Sequence, residues 1–288
     1  MIEDSDITSS QGASRAFRLA IVFGIVNVTR DSFSDGGRFL ATGDAIAHAH
    51  ELVQAGAHVV DVGAAASNPA AEAVAPDQEI ARLKPVVQSL KHDGVAVSVD
   101  AFAPDVQRWA LANEVEYLND IHGFAEPELY PVLADSSAKL IVMHAVQQRG
   151  RAVPEDVPPE KIFARILEFF DARLSVLERA GVKRSRLILD PGMGFFLSSR
   201  QEASFEVLRR LPDLKAAFGL PVLVSVSRKS FLRRTVRRAA GEAGHATLAG
   251  EIFAVFRGAD CIRTHDPAAL ADGLAVWAAA LTGNTTSS

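Results

Sequence analysis

The sequence predicts an α/β fold in which eight parallel strands close into one barrel. Short runs of β-branched residues alternate with longer helix-like stretches through nearly the whole chain. No second cluster of strands and no interdomain linker interrupts this alternation. Almost every predicted strand ends in a polar side chain, which is how an α/β barrel builds its active face. We therefore expect a single (β/α)8 TIM barrel.

The predicted strands are short and rich in Val, Ile and Leu, as buried parallel strands are. They cover residues 20–26, 58–62, 95–99, 117–119, 139–143, 187–189, 221–226 and 260–264. Helix-like stretches follow them near residues 43–55, 77–91, 104–112, 127–134, 159–180, 201–217, 244–257 and 267–281. An open doubly wound sheet is the structural alternative, but such a sheet usually stops at about five or six strands.

Length and composition narrow the class of protein. Barrels of this kind reach 288 residues as one domain, and the 48% of apolar residues supplies ample core. We place the barrel domain at 18–282, after a Ser- and Asp-rich leader at 1–17 that we expect to be disordered and before a loose tail at 283–288.

The net charge and the number of cysteines argue against nucleic-acid binders, membrane binders and disulfide-bonded proteins. The net charge of −5 argues against a general nucleic-acid binder or a membrane binder. For the same reason the basic run at 228–238 is predicted to be a solvated loop rather than a nucleic-acid arm. The single cysteine, Cys261, excludes an internal disulfide and fits a reducing, cytoplasmic location. We expect Cys261 to be buried in the eighth strand.

The stretch FGIVNVTRDSFSDGG at 23–37 shows how a strand passes into a loop. Apolar residues end at Asn27, and a polar loop with two glycines follows. The amide oxygen of Asn27 is a neutral ligand suited to a hard cation such as Mg²⁺. An ordinary βα turn would look the same, so the interpretation depends on repetition of the pattern at later strands.

Polar side chains end the later strands in the same way. They are Asp61 with Gly63, Asp100, Asn119 with Asp120, Met143 with His144, Asp190, the residues 227–230 and the residues 263–265. Taken singly, each of these residues could be a helix cap or a loop residue. Because a barrel collects the carboxyl ends of its strands on one face, we expect them to converge there.

The chemistry of these side chains divides into two groups. Asp100, Asn119 and Asp190 offer acceptors for the N–H groups of a flat heterocycle, and Lys229 can donate to a ring carbonyl. Met143 either packs on the face of such a ring or fills a core gap.

Arg263 and His265 form the second group, because residues two apart on an extended strand lie on one side of it. They make a cationic patch at the usual phosphate end of such barrels. The alternative is a surface arginine and a helix-flanking histidine. Asn27 would complete this group by holding a Mg²⁺ bridged to phosphate oxygens. A ring on one side and a metal-bound diphosphate on the other indicate displacement of pyrophosphate.

Six motifs, in order, resemble those of dihydropteroate synthases. They are NVTRDSFSDGG at 27–37, SVDAF at 98–102, LNDIHGF at 118–124, LILDPGMGF at 187–195, SVSRKSF at 225–231 and RTH at 263–265. The resemblance runs from about residue 20 to about residue 280. It implies a transferase of folate biosynthesis that joins 6-hydroxymethyl-7,8-dihydropterin diphosphate to p-aminobenzoate and releases pyrophosphate. It also implies Mg²⁺ as cofactor and a homodimer formed through the late helices.

The same resemblance implies roles for individual residues, matched position by position. The pterin would be held by Asp100, Asn119, Met143, Asp190 and Lys229. The diphosphate would be held by Asn27, Ser67, Arg263 and His265, with Asn27 as metal ligand. The p-aminobenzoate would be held by Phe33, Ser67, Pro69 and Ser230. No side chain is expected to act as a nucleophile. The alternative functions are a pterin-dependent methyltransferase domain and a catalytically silent pterin- or drug-binding protein.

The second loop departs from the family pattern. It reads DVGAAASNPA at 61–70, where the family commonly reads DVGGESTRPG. Ser67 keeps a hydroxyl in place of threonine, but Asn68 replaces an arginine, so one cation near the diphosphate is lost. Arg30 stands where proline is common, and it either replaces part of that charge or is simply solvated.

The loop after the sixth strand also departs from the pattern. It reads GFFL at 194–197, where sulfonamide-sensitive enzymes commonly read GFGK. Together with the altered second loop, this resembles the acquired, sulfonamide-insensitive branch of the family. Sulfonamides mimic p-aminobenzoate but carry a bulky group on the sulfonyl, so an aromatic wall at Phe195 would exclude them and admit the substrate. We expect Phe196 to be a core residue. The alternative is that both rings pack under a helix.

Overall fold

The computed structural model describes residues 20–28, 42–65, 74–147 and 155–282. The predicted leader at 1–17 and tail at 283–288 lie outside the described residues, and so do Arg30, Phe33, Ser67, Asn68 and Pro69. Within the described ranges, eight strands and ten α-helices follow one another along the chain. None of the helices in these ranges is long and apolar enough to cross a membrane.

All the strand pairs are parallel. The strands are β1 (Ile21–Asn27), β2 (Val59–Gly63), β3 (Val97–Asp100), β4 (Tyr117–Asp120), β5 (Lys139–Met143), β6 (Leu187–Asp190), β7 (Leu223–Val224) and β8 (Cys261–Thr264). Neighbours follow chain order from β1 to β6, while β1 also pairs with β8 and β8 with β7. A parallel bridge between Leu189 and Val222 joins β6 to β7. The sheet is therefore closed, and the predicted (β/α)8 TIM barrel is confirmed.

Helices surround the barrel at nearly the predicted positions. They are α1 (Thr42–Gln54), α2 (Pro76–His92), α3 (Pro104–Ala112), α4 (Tyr130–Asp135), α5 (Pro159–Arg179), α6 (Gln201–Arg209), α7 (Leu211–Phe218), α8 (Ser230–Val236), α9 (Gly244–Phe256) and α10 (Pro267–Thr282). Four of them begin at a proline, because the fixed φ of proline suits the first helical turn and its missing N–H is not needed there.

Two predicted elements differ from the structure. The single helix predicted at 201–217 is split into α6 and α7, because Pro212 cannot donate the backbone hydrogen bond that a continuous helix requires. The prediction of a solvated loop after β7 is wrong for residues 230–236, which form α8. Phe231 and Leu232 are buried there, so their packing fixes a helix within the basic run.

One apolar side chain from nearly every strand fills the barrel interior near the amino ends of the strands. This layer consists of Phe23, Val59, Tyr117, Ile141, Ile188, Leu223 and Cys261. Cys261 is 1% exposed, so its predicted burial is confirmed. Because alternate residues of a strand face the same side, the interior positions beyond this layer lie two and four residues further along each strand.

Glu251 is a buried carboxyl outside the barrel interior, on α9. Burial raises its pKa to about 8 from an ordinary value of 4.5, and the nearby Asp266 adds to this, while a hydrogen bond with Thr264 opposes it. The folded protein therefore keeps a proton that the unfolded chain releases above about pH 4.5. Folding stability attributable to this group is greatest below that pH and is lost as the pH rises toward 8.

We expect Glu251→Gln to remove this loss, because a glutamine does not titrate. The free energy of unfolding of the variant, compared with that of the parent protein, should therefore rise by on the order of 4 kcal/mol between pH 5 and pH 8. Urea unfolding of both proteins at several pH values measures the effect, with Glu202→Gln on exposed α6 surface as the control. Stability curves that run parallel across this range would contradict the expectation.

Candidate active site

The interior positions beyond the apolar layer carry mostly polar side chains. Asp61, Asn119, Met143, Asp190 and Arg263 each lie two residues after a member of that layer, and Asn27 lies four residues after Phe23. In the sheet register, Asn27 pairs with Gly63, Gly63 with Asp100, and Asp100 with Asn119. The alternation along the strands thus brings these predicted residues to one end of the barrel.

Arg263 reaches carboxylates from three other strands. Its Nη1 lies 3.1 Å from Oδ2 of Asp61 and 3.8 Å from Oδ2 of Asp100, and its Nη2 lies 3.8 Å from Oδ2 of Asp190. Arg263 is only 8% exposed, so these charges meet largely away from water. The sequence grouped Arg263 with His265, whereas its contacts group it with Asp61 and with two carboxylates predicted to hold a ring, Asp100 and Asp190.

Three buried acceptor atoms in this cluster have no hydrogen-bond partner among the described residues. They are Oδ1 of Asp61, Oδ1 of Asn119 and Oδ2 of Asp190. Nδ2 of Asn119 donates to Oδ1 of Asp100 over 2.9 Å, which leaves Oδ1 of Asn119 as the open acceptor. A buried acceptor without a partner costs free energy, and a ligand with several N–H groups would supply the missing donors.

Burial and mutual charge perturb the ionisable groups of the site. Burial raises the pKa of Asp100 to about 7, although Arg263 opposes the rise, and burial also raises the pKa of Asp190. Burial lowers the pKa of Lys229 to about 8, and Arg263 lowers it further. Burial disfavours the charged form of Arg263 as well, but the surrounding carboxylates, Asp61 foremost, outweigh it and raise its pKa. Such clustered shifts are typical of functional sites.

The turn after β6 fixes the carboxyl of Asp190. Its Oδ1 accepts the N–H of Gly192 over 2.8 Å. Gly192 has φ +73°, and a Cβ there would lie 2.4 Å from the carbonyl oxygen of His144, so no other residue fits. Because Oδ1 is used in this way, Oδ2 is the oxygen left for a ligand.

Met143 and Phe196 belong to a small apolar cluster beside this turn. They pack with Ile121, and the half-buried Phe195 lies against the cluster. Met143 is 2% exposed and Phe196 is 7% exposed, so the predicted core position of Phe196 is confirmed. The ammonium of Lys229 lies 5.1 Å from the centroid of the Phe196 ring, which connects this cluster to the charged one.

Phe195 lies where the loop after β6 meets the loop after β7. Its neighbour Gly194 has φ +68°, and a Cβ there would lie 3.7 Å from Cδ of Lys229 and 3.8 Å from Oγ of Ser230. The guanidinium of Arg234 lies 5.8 Å from the centroid of the Phe195 ring. Of the residues predicted at the p-aminobenzoate subsite within the described ranges, Ser230 thus lies close to Gly194, the residue before the wall residue Phe195.

His265 contacts a different loop from Arg263. Its Nδ1 lies 2.8 Å from Oγ of Ser227, and its backbone N–H donates to the same oxygen over 3.2 Å. Ser227 is 5% exposed. The histidine is thus held by Ser227, which lies two residues before Lys229 in the loop after β7.

Asn27 ends β1 in a partly buried position, where its amide oxygen is a suitable ligand for a hard cation. Among the described residues, no group of three or more His, Cys, Asp or Glu side chains surrounds one point as a metal-ligand set. A hard cation such as Mg²⁺ would therefore take one amide oxygen from Asn27 and most of its other ligands from water or a bound anion.

Two residues of the site had no role in the sequence prediction beyond their place at a strand end. Asp61 makes the shortest contact of the Arg263 head group, and Ser227 holds His265. The two-residue period of a strand could have identified both. Asp61 lies two residues after Val59 and Ser227 lies four residues after Leu223, so each faces the same side as the apolar residue before it. Phe33, Ser67 and Pro69 lie outside the described residues, so their predicted roles stay predictions.

Sequence and structure comparisons place the chain among known enzymes. A family model described as a pterin binding enzyme matches residues 23–265. A dihydropteroate synthase type-2 from Escherichia coli is 56% identical over 259 residues, which are 90% of this chain and 95% of that protein.

Solved structures agree with this placement. A Xanthomonas albilineans dihydropteroate synthase with 4-aminobenzoic acid is 34% identical, with a TM-score of 0.81, over 91% of this chain and 93% of that one. A Burkholderia cenocepacia dihydropteroate synthase complexed with 7,8-dihydropteroate is 32% identical, with a TM-score of 0.82, over 93% of both chains. The chain therefore belongs to the dihydropteroate synthase family.

Proposed function

We propose that the chain joins 6-hydroxymethyl-7,8-dihydropterin diphosphate to p-aminobenzoate and releases pyrophosphate, and that it discriminates against sulfonamides. The observation that carries the proposal is the cluster of the buried Asp61, Asn119, Asp190 and Arg263 with the partly buried Asp100, which has open acceptor atoms and lies at the mouth of the barrel. Membership of the synthase family, argued above, supports the same reaction. The single cysteine of the chain is consistent with the predicted cytoplasmic location.

The ring subsite accounts for the open acceptors. The amino and ring N–H groups of a dihydropterin match Oδ1 of Asn119 and Oδ2 of Asp190, and Lys229 can donate to the ring carbonyl. Met143, which packs with Ile121 and Phe196, would form part of the wall of this subsite. Arg263, held by Asp61, would lie at the boundary between the ring and its diphosphate, so it can serve both.

The chemistry breaks the bond between the pterin methylene carbon and the diphosphate oxygen and forms a bond from that carbon to the arylamine nitrogen. Diphosphate leaves first, and positive charge spreads into the ring. Carboxylates placed beside the ring stabilise that charge more than they stabilise the neutral ground state, which lowers the barrier. The arylamine is neutral near pH 7 and loses its proton after attack, so neither a nucleophilic side chain nor a strong base is needed.

The leaving group would lie at the edge of the barrel mouth. His265 can donate to its phosphate oxygens, and we assign Ser67 to the same subsite by resemblance. Asn27 would hold a Mg²⁺, which neutralises charge on the departing diphosphate when it is bound. The amide at the end of β1 fits this role because the substrate itself supplies most of the ligands.

The p-aminobenzoate subsite would be formed by Ser230, with Phe33, Ser67 and Pro69 from the first two loops. Phe195 borders Ser230 through Gly194. A ring at this position would meet the bulky substituent of a sulfonamide and leave room for the smaller carboxylate of the substrate.

A coupled assay for pyrophosphate release tests the reaction. The purified protein is expected to release pyrophosphate only when the dihydropterin diphosphate, p-aminobenzoate and Mg²⁺ are all present. Methyl transfer from a methylated folate without pyrophosphate release would instead support a methyltransferase. Pterin binding without turnover would support a silent binding protein.

We further propose a homodimer, in which a second copy covers an apolar surface on α9 and α10. This late-helix surface consists of Phe253, Phe256, Val276 and Leu281, which are 39%, 59%, 71% and 65% exposed. Phe256 packs edge-to-face on Trp277, with ring centroids 5.4 Å apart, so α9 and α10 contact each other at this surface. Contiguous exposed apolar patches on ordered helices mark protein interfaces.

Val276→Glu should convert the dimer to a monomer, because a charge at the centre of an apolar interface loses its hydration without a partner. Size-exclusion chromatography with light scattering measures the mass. Ala172→Glu, on exposed surface of α5, is the matched control and should leave the mass unchanged. A parent protein that is already monomeric at micromolar concentration would rule out the dimer.

A further inference from the structure

We propose that Ser227 sets the tautomer and orientation of His265, so that the ring carries its hydrogen on Nε2. Ser227 is thus a positioning residue. The proposal about the ring rests on hydrogen bonds alone. Its consequence for catalysis rests on the proposed function, in which His265 donates to the diphosphate.

The hydrogen bonds of Ser227 identify the donor and the acceptor. The backbone N–H of His265 can only donate, so Oγ of Ser227 is the acceptor across that 3.2 Å contact. The hydroxyl hydrogen still needs an acceptor, because Ser227 is 5% exposed and an unpaired buried hydroxyl is costly. Within the part of the chain that the structure describes, the acceptor placed for it is Nδ1 of His265, at 2.8 Å.

The tautomer follows from this assignment. A neutral imidazole has one nitrogen that accepts and one that carries a hydrogen. If Nδ1 accepts the Ser227 hydroxyl, the hydrogen is on Nε2, at the edge of the ring opposite Ser227. The reverse assignment, with Nδ1–H donating to Oγ, would leave the buried hydroxyl hydrogen without this acceptor.

The backbone around His265 is fixed on both sides. Thr264 is fully buried, its Oγ1 accepts the N–H of Asp266 over 3.1 Å, and its hydroxyl is hydrogen-bonded to Glu251. The backbone N–H of His265 itself is held by Ser227. With the main chain fixed, the contact from Nδ1 to Ser227 constrains the rotation of the ring. Outer partners of this kind orient histidines at many functional sites.

An oriented Nε2–H is the state that a diphosphate requires. A phosphate oxygen accepts hydrogen bonds, so an Nε2–H donor attracts it, while a bare Nε2 lone pair repels it. Ser227→Ala should therefore raise KM for the dihydropterin diphosphate and lower kcat/KM by about tenfold, the cost of about one misplaced hydrogen bond. KM for p-aminobenzoate should not change.

The tautomer is measured directly by NMR on protein labelled with ¹⁵N-histidine, in the absence of substrates and at a pH where the ring is neutral. Long-range ¹H–¹⁵N correlations distinguish the two tautomers, and His265→Gln identifies the signals that belong to this ring. The parent protein should show the Nε2–H pattern. Ser227→Ala should shift the Nδ1 resonance and mix the tautomers, and Ser227→Thr, which keeps a hydroxyl, should restore the parent pattern.

Ser225→Ala is the matched control. Ser225 is a buried serine on the same interior face, two residues earlier, and it is 6% exposed. Its variant should leave the His265 signals unchanged. An Nδ1–H pattern in the parent protein, or an unchanged pattern in Ser227→Ala, would overturn the proposal. If Ser227→Ala changed the His265 signals but not the kinetics, the proposed tautomer would stand and His265 would be removed from the proposed diphosphate subsite. A failure of the tautomer proposal and a failure of the proposed function are therefore distinguishable.

Discussion

Asp190→Asn is expected to lower kcat/KM for the dihydropterin diphosphate by about 1,000-fold, because the variant loses a charge-assisted hydrogen bond to the ring, at roughly 2 kcal/mol, and sets an NH₂ group against the ring N–H groups, which costs roughly 2 kcal/mol more. The loss has a structural reason. Oδ1 of Asp190 is already used by Gly192, and Oδ2 has no hydrogen-bond partner among the described residues. An asparagine that keeps the Gly192 contact must place its NH₂ where Oδ2 was, 3.8 Å from the guanidinium of Arg263.

The replacement also changes the charge beside the ring. Asp61, Asp100 and Asp190 surround Arg263, and the loss of one carboxylate leaves less negative charge to stabilise a cationic pterin. We therefore expect kcat to fall as well as substrate binding, since the interaction strengthens as charge develops.

Steady-state kinetics with each substrate varied in turn, together with calorimetric binding of an unreactive pterin, measure both effects. KM for p-aminobenzoate should change by less than about threefold, because the arylamine subsite is assigned to other residues. Asp272→Asn, on exposed surface of α10, is the control and should behave like the parent protein. A value of kcat/KM within about fivefold of the parent would show that Asp190 does not hold the ring.

Much of the site could be predicted from the sequence, because every second side chain of a parallel strand faces the barrel interior. Asn27, Asp100, Asn119 and Asp190 were identified as strand ends, and a closed barrel places strand ends together whatever their separation in sequence. The burial of Cys261 and Phe196 was also predictable, since Cys261 belongs to the predicted eighth strand and Phe196 stands between the apolar Phe195 and Leu197.

Contacts across the barrel were not predictable. Arg263 and Asp61 are 202 positions apart, and which of three carboxylates lies nearest to the guanidinium depends on the stagger of the strands. The pairing of Ser227 with His265 has the same origin, because β7 and β8 are neighbours whose register cannot be derived from composition. α8 was missed because six basic residues in an eleven-residue run outweighed two buried apolar ones in the sequence argument.

Phe195→Gly is expected to restore sulfonamide inhibition, lowering the inhibition constant by about 30-fold or more, which corresponds to about 2 kcal/mol of steric exclusion removed. Two contacts position Phe195 for this role. Gly194 brings the loop close to Lys229 and Ser230, and the guanidinium of Arg234 lies 5.8 Å from the centroid of the Phe195 ring. The guanidinium of Arg234 also donates to the carbonyl of Ser199 over 3.1 Å, so it is itself held in place.

The measurement is a panel of sulfonamides that differ in the size of the sulfonyl substituent, assayed against p-aminobenzoate in the parent and variant. Inhibition should be restored most for the largest substituents, because the proposed clash grows with size. KM for p-aminobenzoate should change by less than about fivefold, since its carboxylate does not extend to the ring.

Phe196→Leu separates exclusion of the drug from simple packing. Phe196 is buried against Ile121 and Met143, so its replacement should lower stability by about 1 kcal/mol and leave sulfonamide inhibition as weak as in the parent. If both variants became equally sensitive, the two rings would act as one packed unit and Phe195 would have no separate role. If neither became sensitive, discrimination would come from another part of the p-aminobenzoate subsite, for which the altered second loop is the next candidate. A response confined to Phe195 is the outcome we expect, because its ring is half-buried and the residue before it, Gly194, lies close to Ser230.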